Sequence, residues 1–234
     1  MKAIIKRELR AYFTSPLGYI ILTALMLFGG IYYHALIQTG YADLTYLFNA
    51  MITIIFFVIP IITMRCFSEE KKQKTDQLFM TSPVSVASVV IGKYIACLSF
   101  FSIFVAAMAV YNFVFYFFGA SPDIMIFLGN IIGIELFAGS LIAIGVFISA
   151  LTESQVVAAV GSFAVSFMLM LLDTISTLFD NAIVTAVCNW ISFSDRYYTF
   201  TDGIFDVGNA IFFISIIVVF LFLTVRAIDR KRWA

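Results

Sequence analysis

The sequence predicts an all-α membrane protein that crosses the bilayer six times. Three observations carry that expectation. The 234 residues are 62% hydrophobic and only 12% charged, with a mean hydropathy of +1.04. The chain holds six apolar runs of spanning length, and its Lys and Arg residues gather in the connections on one side. Ordinary soluble domains are about 45–50% apolar and about 25% charged. A soluble fold of this size could not bury so much apolar surface or clothe itself with so little charge. The same figures exclude intrinsic disorder. The 14 basic residues match the 14 acidic ones, which argues against a generally basic nucleic-acid binder, so no nucleic-acid partner is expected.

Residues 2–14 place Ile5, Leu9, Tyr12 and Phe13 on one side of a helical wheel and Lys6, Arg7 and Arg10 on another. That pattern fits a basic amphipathic helix lying in the membrane interface, ended by Ser15-Pro16. A simple basic anchor would explain the charges but not the spaced apolar residues. The six runs follow at about 17–37, 45–64, 86–118, 124–150, 155–172 and 207–225. A helical crossing needs about 20 apolar residues, whereas barrel strands would be about 10 residues of strict alternation. The first run follows four basic residues, as a signal peptide would. It lacks a convincing small-residue cleavage site and is long enough to span, so it reads as an uncleaved helix.

Charge sets the orientation. With both termini on one side, that side holds 13 of the 14 Lys and Arg residues, and only Arg196 lies opposite. Six acidic residues share the basic side, seven fall on the other, and Glu135 lies within the fourth run. The basic side is expected to be cytoplasmic.

Residues 66–83 form the one long hydrophilic connection on that side. Its core, 68–80, is rich in helix formers and in acid–base pairs three or four residues apart, and ends in Leu78-Phe79-Met80. Thr81-Ser82-Pro83 breaks it, and Ser85 is placed to cap the next helix. A charged helix ending in exposed apolar residues suggests docking onto a cytoplasmic partner. Residues 173–206, on the outer side, contain an apolar stretch at 182–191 too short to span, consistent with short helices dipping into or lying on the outer leaflet. Trp190, Phe193, Tyr197 and Tyr198 are residue types that settle at the lipid–water boundary. Glu135 sits about 17 Å along its helix at about 1.5 Å per residue. A carboxylate near mid-membrane is costly and marks a candidate pathway residue, although protonation, a protein-facing orientation or a shallower depth would each accommodate it. Gly129, Gly133 and Gly139 allow close helix packing.

Catalytic signatures are lacking. The chain has no GxxxxGK[ST] phosphate loop, HExxH or GxSxG, no carboxylate pair at catalytic spacing, no TVGYG filter and no arginine ladder. Cys66, Cys97 and Cys188 are widely spaced and support neither a disulfide framework nor a zinc site; His34 is the single histidine and reads as packing. No enzyme activity and no cofactor bound by this chain are expected.

Residues 68–84 resemble the cytoplasmic loop of ABC-2 type exporter permeases: a Glu pair (Glu69-Glu70), a basic run (Lys71-Lys72), Thr75-Asp76, Leu78, then Ser82-Pro83 before the third crossing. Lys74 stands where that family usually has Gly. Residues 143–159 and the segment from 210 to Arg230-Lys231-Arg232-Trp233 are similar to the gliding-motility-associated branch, and Lys6-Arg7-Glu8-Leu9 with Ser15-Pro16 extends the likeness over almost the whole chain.

The resemblance implies a single transmembrane domain, 1–234, of type V exporter-like architecture. It would have six crossings, an interfacial helix at 2–14, a coupling helix within 66–83 and re-entrant helices within 173–206. It implies a second permease copy, as homodimer or paralogous heterodimer, and a separate ABC ATPase subunit that binds ATP and magnesium. Glu69, Glu70, Asp76, Leu78 and Phe79 would meet that ATPase, with Lys6, Arg7, Leu9 and Arg10 forming the interfacial helix and Glu135 a candidate in the pathway. Glu153 is a further candidate contact. The expected setting is a bacterial cytoplasmic membrane with both termini cytoplasmic; an extracytoplasmic accessory protein and the identity of the substrate are left open. A non-transporting membrane anchor for an ABC ATPase is the alternative, and a secondary transporter a weaker one.

Overall fold

The computed structural model describes residues 1–39, 44–75, 85–117, 123–178, 188, 190–201 and 206–232. In chain order its helices are α1 (Lys2–Thr14), α2 (Pro16–Thr39), α3 (Thr45–Thr63), α4 (Ser68–Lys72), α5 (Val86–Phe117), α6 (Ile124–Leu151), α7 (Gln155–Leu178), α8 (Phe193–Thr201) and α9 (Val207–Arg232). Among the described residues six helices are long and apolar enough to cross a membrane, and they coincide with the six apolar runs. All regular structure among the described residues is helical.

Local chemistry explains the boundaries. Ser15 adopts extended backbone (φ −90°, ψ 135°), as the residue before a proline prefers, so α1 stops there. Pro16 then occupies the first position of α2, where its missing N–H costs nothing. The elbow is tight: a Cβ on Gly18 would collide with the backbone oxygen of Tyr12. Ser85 caps α5 as its position suggested, its Oγ accepting from Ser88 N at 3.3 Å. Asp123 accepts from Met125 N at 2.8 Å and opens α6.

α6 forms the centre of the bundle, with α3, α5, α7, α8 and α9 packed around it. Phe137 on α6 meets Phe56 of α3, Phe193 and Tyr197 of α8, and Phe213 of α9, at ring separations between 5.2 and 6.2 Å. α3 is likewise buried on most faces, whereas α2 buries a single stripe: Ile21, Leu25, Gly29, Tyr33 and Leu36. Its other face, with Tyr19, Ile20, Leu27 and Ile31, is exposed, as are Val156, Val160 and Met168 on α7 and Ile211, Val218 and Phe222 on α9. A soluble protein rarely shows contiguous apolar surface on this scale, but a lipid-facing helix needs it.

The segment that follows α7 adds detail to the expectation. Gly129 and Gly133 allow the close helix packing expected of them, and the helix they receive is α8: a Cβ at either would strike Phe200 at 2.8 or 2.9 Å. Phe193 and Tyr197 are buried in that contact rather than lying at the surface, while Trp190 stays exposed. Residues 179–187 lie outside the described residues.

Candidate functional site

Five elements meet at one end of the bundle: α1, the α1–α2 elbow, α4, the first turns of α5 and the last turn of α6. The meeting point is α4. A five-residue helix is far too short to be stable alone, so its neighbours must hold it. Phe67 and Ser68, at its start, find no capping side chain within α4 itself. Ser149 of α6 supplies one from across the interface: its Oγ accepts from Phe67 N (3.0 Å) and Ser68 N (3.2 Å) and donates to Met64 O (3.1 Å). Lys71 donates to the carbonyl of Ala150, one of the orphan acceptors at the C-terminal, negative end of α6.

The far end of α4 explains where the sequence pattern misleads. Helix formers continue to Met80, yet α4 stops at Lys72. Thr75 N bonds Glu70 O at 2.9 Å and Lys74 N bonds Lys71 O at 3.1 Å, the paired closure of a left-handed helix end. Lys74 adopts φ 56°, the conformation that glycine takes without penalty. Lys74 is thus the turn residue of this loop, at the position where the resemblance noted above leads one to expect Gly.

Around α4 lies a nearly closed ion network. Lys93, on the second turn of α5, is 2% exposed along its side chain. Its Nζ reaches Glu8 Oε1 at 3.2 Å, Glu70 Oε2 at 2.9 Å and the Cys66 carbonyl at 2.6 Å, and lies over the Phe67 ring at 5.0 Å. Arg7, 52% exposed, completes the square through Glu8 Oε1 (2.6 Å) and Glu70 Oε1 (2.7 Å). Two cations balance two carboxylates drawn from α1, α4 and α5. Burial works against the Arg7 charge, but its hydrogen bonds and proximity to Glu8 and Glu70 prevail and raise its pKa above the usual guanidinium value. Arg65 forms a separate pair, bidentate to Glu69 at 2.8 and 3.2 Å, and its Nη1 donates to Ser15 Oγ at 2.8 Å. The elbow, α4 and the end of α3 are thereby tied together.

Beneath the ions, Tyr12 donates its hydroxyl proton to the Ile62 carbonyl at 2.8 Å. The same oxygen lies 3.6 Å from Cys66 Sγ and 3.2 Å from Cys97 Sγ, and the two sulfurs are 3.1 Å apart. Burial, and then the nearby thiols, hold the Tyr12 phenol well above its ordinary pKa, so it stays neutral.

The structure brings Glu69, Glu70, Arg7 and Leu9 to this junction. Glu70 is turned inward onto Lys93 and Arg7 (17% exposed), while Glu69 is more open (29%) although paired with Arg65. Leu9 is half-buried against the core, and Lys6 and Arg10 lie on the exposed side of α1. Asp76, Leu78 and Phe79 lie outside the described residues. Glu135 is elsewhere, half-buried on α6. Glu153 falls in the short connection between α6 and α7. Sequence reasoning treated Lys93 as one more topology-setting charge and overlooked Glu8, Ser149 and the meeting of Cys66 with Cys97. A lysine two turns inside an apolar helix was the available signal, since a charge there needs partners.

These residues hold no phosphate cradle and, among the described residues, no group of three or more metal-ligating side chains. Charge pairs and hydrogen bonds join α4 to α1, α5 and α6. The family model for ABC-2 family transporter proteins matches residues 3–233. No curated protein is matched by the chain.

Proposed function

The chain belongs to the ABC-2 transporter family, a multi-pass membrane permease subunit, and from that premise we propose that it couples ATP hydrolysis on a separate ATPase to export across a bacterial cytoplasmic membrane. The observation that carries this reading is the attachment of α4 to three other helices through Glu70, Lys93, Arg7, Lys71 and Ser149. A rigidly bolted short helix, continuing into a hydrophilic loop, is suited to receiving force from a docked partner.

In this mechanism both termini and the α4 loop face the cytoplasm. The ATPase, with its own ATP and magnesium, engages the loop at Glu69 and at Asp76, Leu78 and Phe79. Glu70 plays a different part from Glu69, because its carboxylate is already committed to Lys93 and Arg7: it transmits the push inward. α1, with Lys6 and Arg10 directed outward, rides at the lipid headgroups and moves with α4. Two permease copies enclose the path, and an accessory protein on the outer side is compatible with it.

The test is reconstitution with the cognate ATPase in vesicles. Glu69→Ala combined with Phe79→Ala is expected to weaken complex formation. Glu70→Gln is expected to leave the complex intact while reducing permease-stimulated ATP hydrolysis about tenfold, the scale of losing about 1.4 kcal/mol of coupling. Unchanged assembly in the first variant together with unchanged stimulation in the second would sink the assignment. Nucleotide-dependent flux distinguishes an exporter from a membrane anchor.

A further inference from the structure

We propose that Cys66 and Cys97 are a peroxide-reactive thiol pair whose disulfide clamps the α3–α4 turn to α5. The residues lie 31 positions apart, yet their sulfurs approach to 3.1 Å, and each also contacts the hydroxyl oxygen of Tyr12. Because Tyr12 spends its single proton on the Ile62 carbonyl, its oxygen can only accept from the thiols. One acceptor oxygen thus lies beside both thiols, whose sulfurs also contact each other. A disulfide requires the sulfurs to close from 3.1 Å to about 2.05 Å.

The two sulfurs are not equivalent. A cavity of about 50 Å³ is lined by Glu8, Ala11, Tyr12, Arg65, Cys66 and Glu69, with room for one or two water-sized molecules. Cys66 faces it beside the partly exposed Arg65–Glu69 pair, whereas Cys97 sits deeper on α5. Lys93 Nζ, anchored on the Cys66 carbonyl, supplies positive charge beside the outer sulfur. Cys66 is therefore the residue oxidised first. Its thiolate cleaves the O–O bond of hydrogen peroxide, giving Cys66 sulfenic acid and hydroxide, which takes up the proton the thiol released to form water. The Cys97 thiol then displaces the sulfenic oxygen, forming the S–S bond and releasing a second water. Two thiols are oxidised and one peroxide is reduced.

The bond would lock the backbone that precedes α4 onto α5, the same interface that Lys93 and Glu70 bridge. Assignment of this end to the reducing cytoplasm, where the resting form is the dithiol, rests on the function proposed above; the thiol chemistry does not. The full chain in lipid nanodiscs is treated with hydrogen peroxide, quenched, denatured and titrated with a maleimide reagent. Reactive thiols are expected to fall from three per chain to one, to return to three with dithiothreitol, and to leave a Cys66–Cys97 linked peptide. In Cys188→Ser the count falls from two to none, and in Cys97→Ser the reaction stops at a Cys66 sulfenic acid trapped by dimedone. Three thiols persisting in the unsubstituted chain, or a linked peptide containing Cys188 or joining two chains, would overturn the proposal.

Discussion

Replacement of Lys93 by methionine tests whether the ion network holds this end of the bundle together. The substitution keeps the length and packing of the aliphatic stem but removes the ammonium. In the intact protein Lys93 and Arg7 balance Glu8 and Glu70. Without Lys93, two carboxylates share one guanidinium that is itself half in solvent, and the Cys66 carbonyl loses its donor at 2.6 Å. Removing one partner of a buried pair costs about 3–5 kcal/mol. Arg7 still contacts both carboxylates, so the low end applies, about 3 kcal/mol.

For a chain of this length each kcal/mol moves the midpoint by about 2–4 °C, which gives a fall of about 6–12 °C. Thermal unfolding in detergent is commonly irreversible, so the comparison is of apparent Tm at one scan rate. Adding Glu70→Gln restores charge balance, leaving Glu8 with Arg7, and should recover roughly half of the loss. A drop smaller than about 2 °C, or a double variant no more stable than Lys93→Met alone, would refute the account of the network as a mutually neutralising square.

Lys74→Gly should stabilise the chain by about 1 kcal/mol, since a side chain at φ 56° carries a penalty of about 1–2 kcal/mol that glycine lacks, partly offset by the greater freedom of glycine when unfolded; a lower apparent Tm would contradict this. Gly18→Ala should force α1 away from α2, because the new methyl meets the immovable Tyr12 backbone oxygen; faster proteolysis within residues 2–14 is the readout, and unaltered cleavage would count against a tight elbow. Tyr12→Phe should cost about 1–2 kcal/mol below pH 10 by stranding the Ile62 carbonyl. The raised native pKa of Tyr12 means that the folded chain keeps a proton the unfolded chain releases. That stabilisation is complete below the unfolded phenol's pKa of about 10 and is lost as pH rises above it toward the raised native value. The phenylalanine variant should therefore lose stability less steeply between pH 10 and 11, as followed by apparent Tm.

The composition and the six apolar runs determined the membrane class and the helix boundaries, because a span must be apolar along about 20 residues whatever it packs against. The Ser15-Pro16 break and the Ser85 cap were equally legible, since both act through the neighbouring backbone. Membership of the ABC-2 transporter family was readable from the loop and the flanking segments. Tertiary structure decided the rest. A helical pattern running to Met80 gave no sign that α4 would stop at Lys72, where a left-handed turn and capping by Ser149 from α6 set its length. Gly129 and Gly133 announced close packing without naming α8 as the partner. Lys93, counted in the sequence as one more positive charge on one side, became the buried centre of a site joining residues 8, 70 and 93. Hydrophobicity and local propensity are properties of a single segment, whereas ion pairing and thiol contact depend on which segments meet, and that is settled only when the bundle closes.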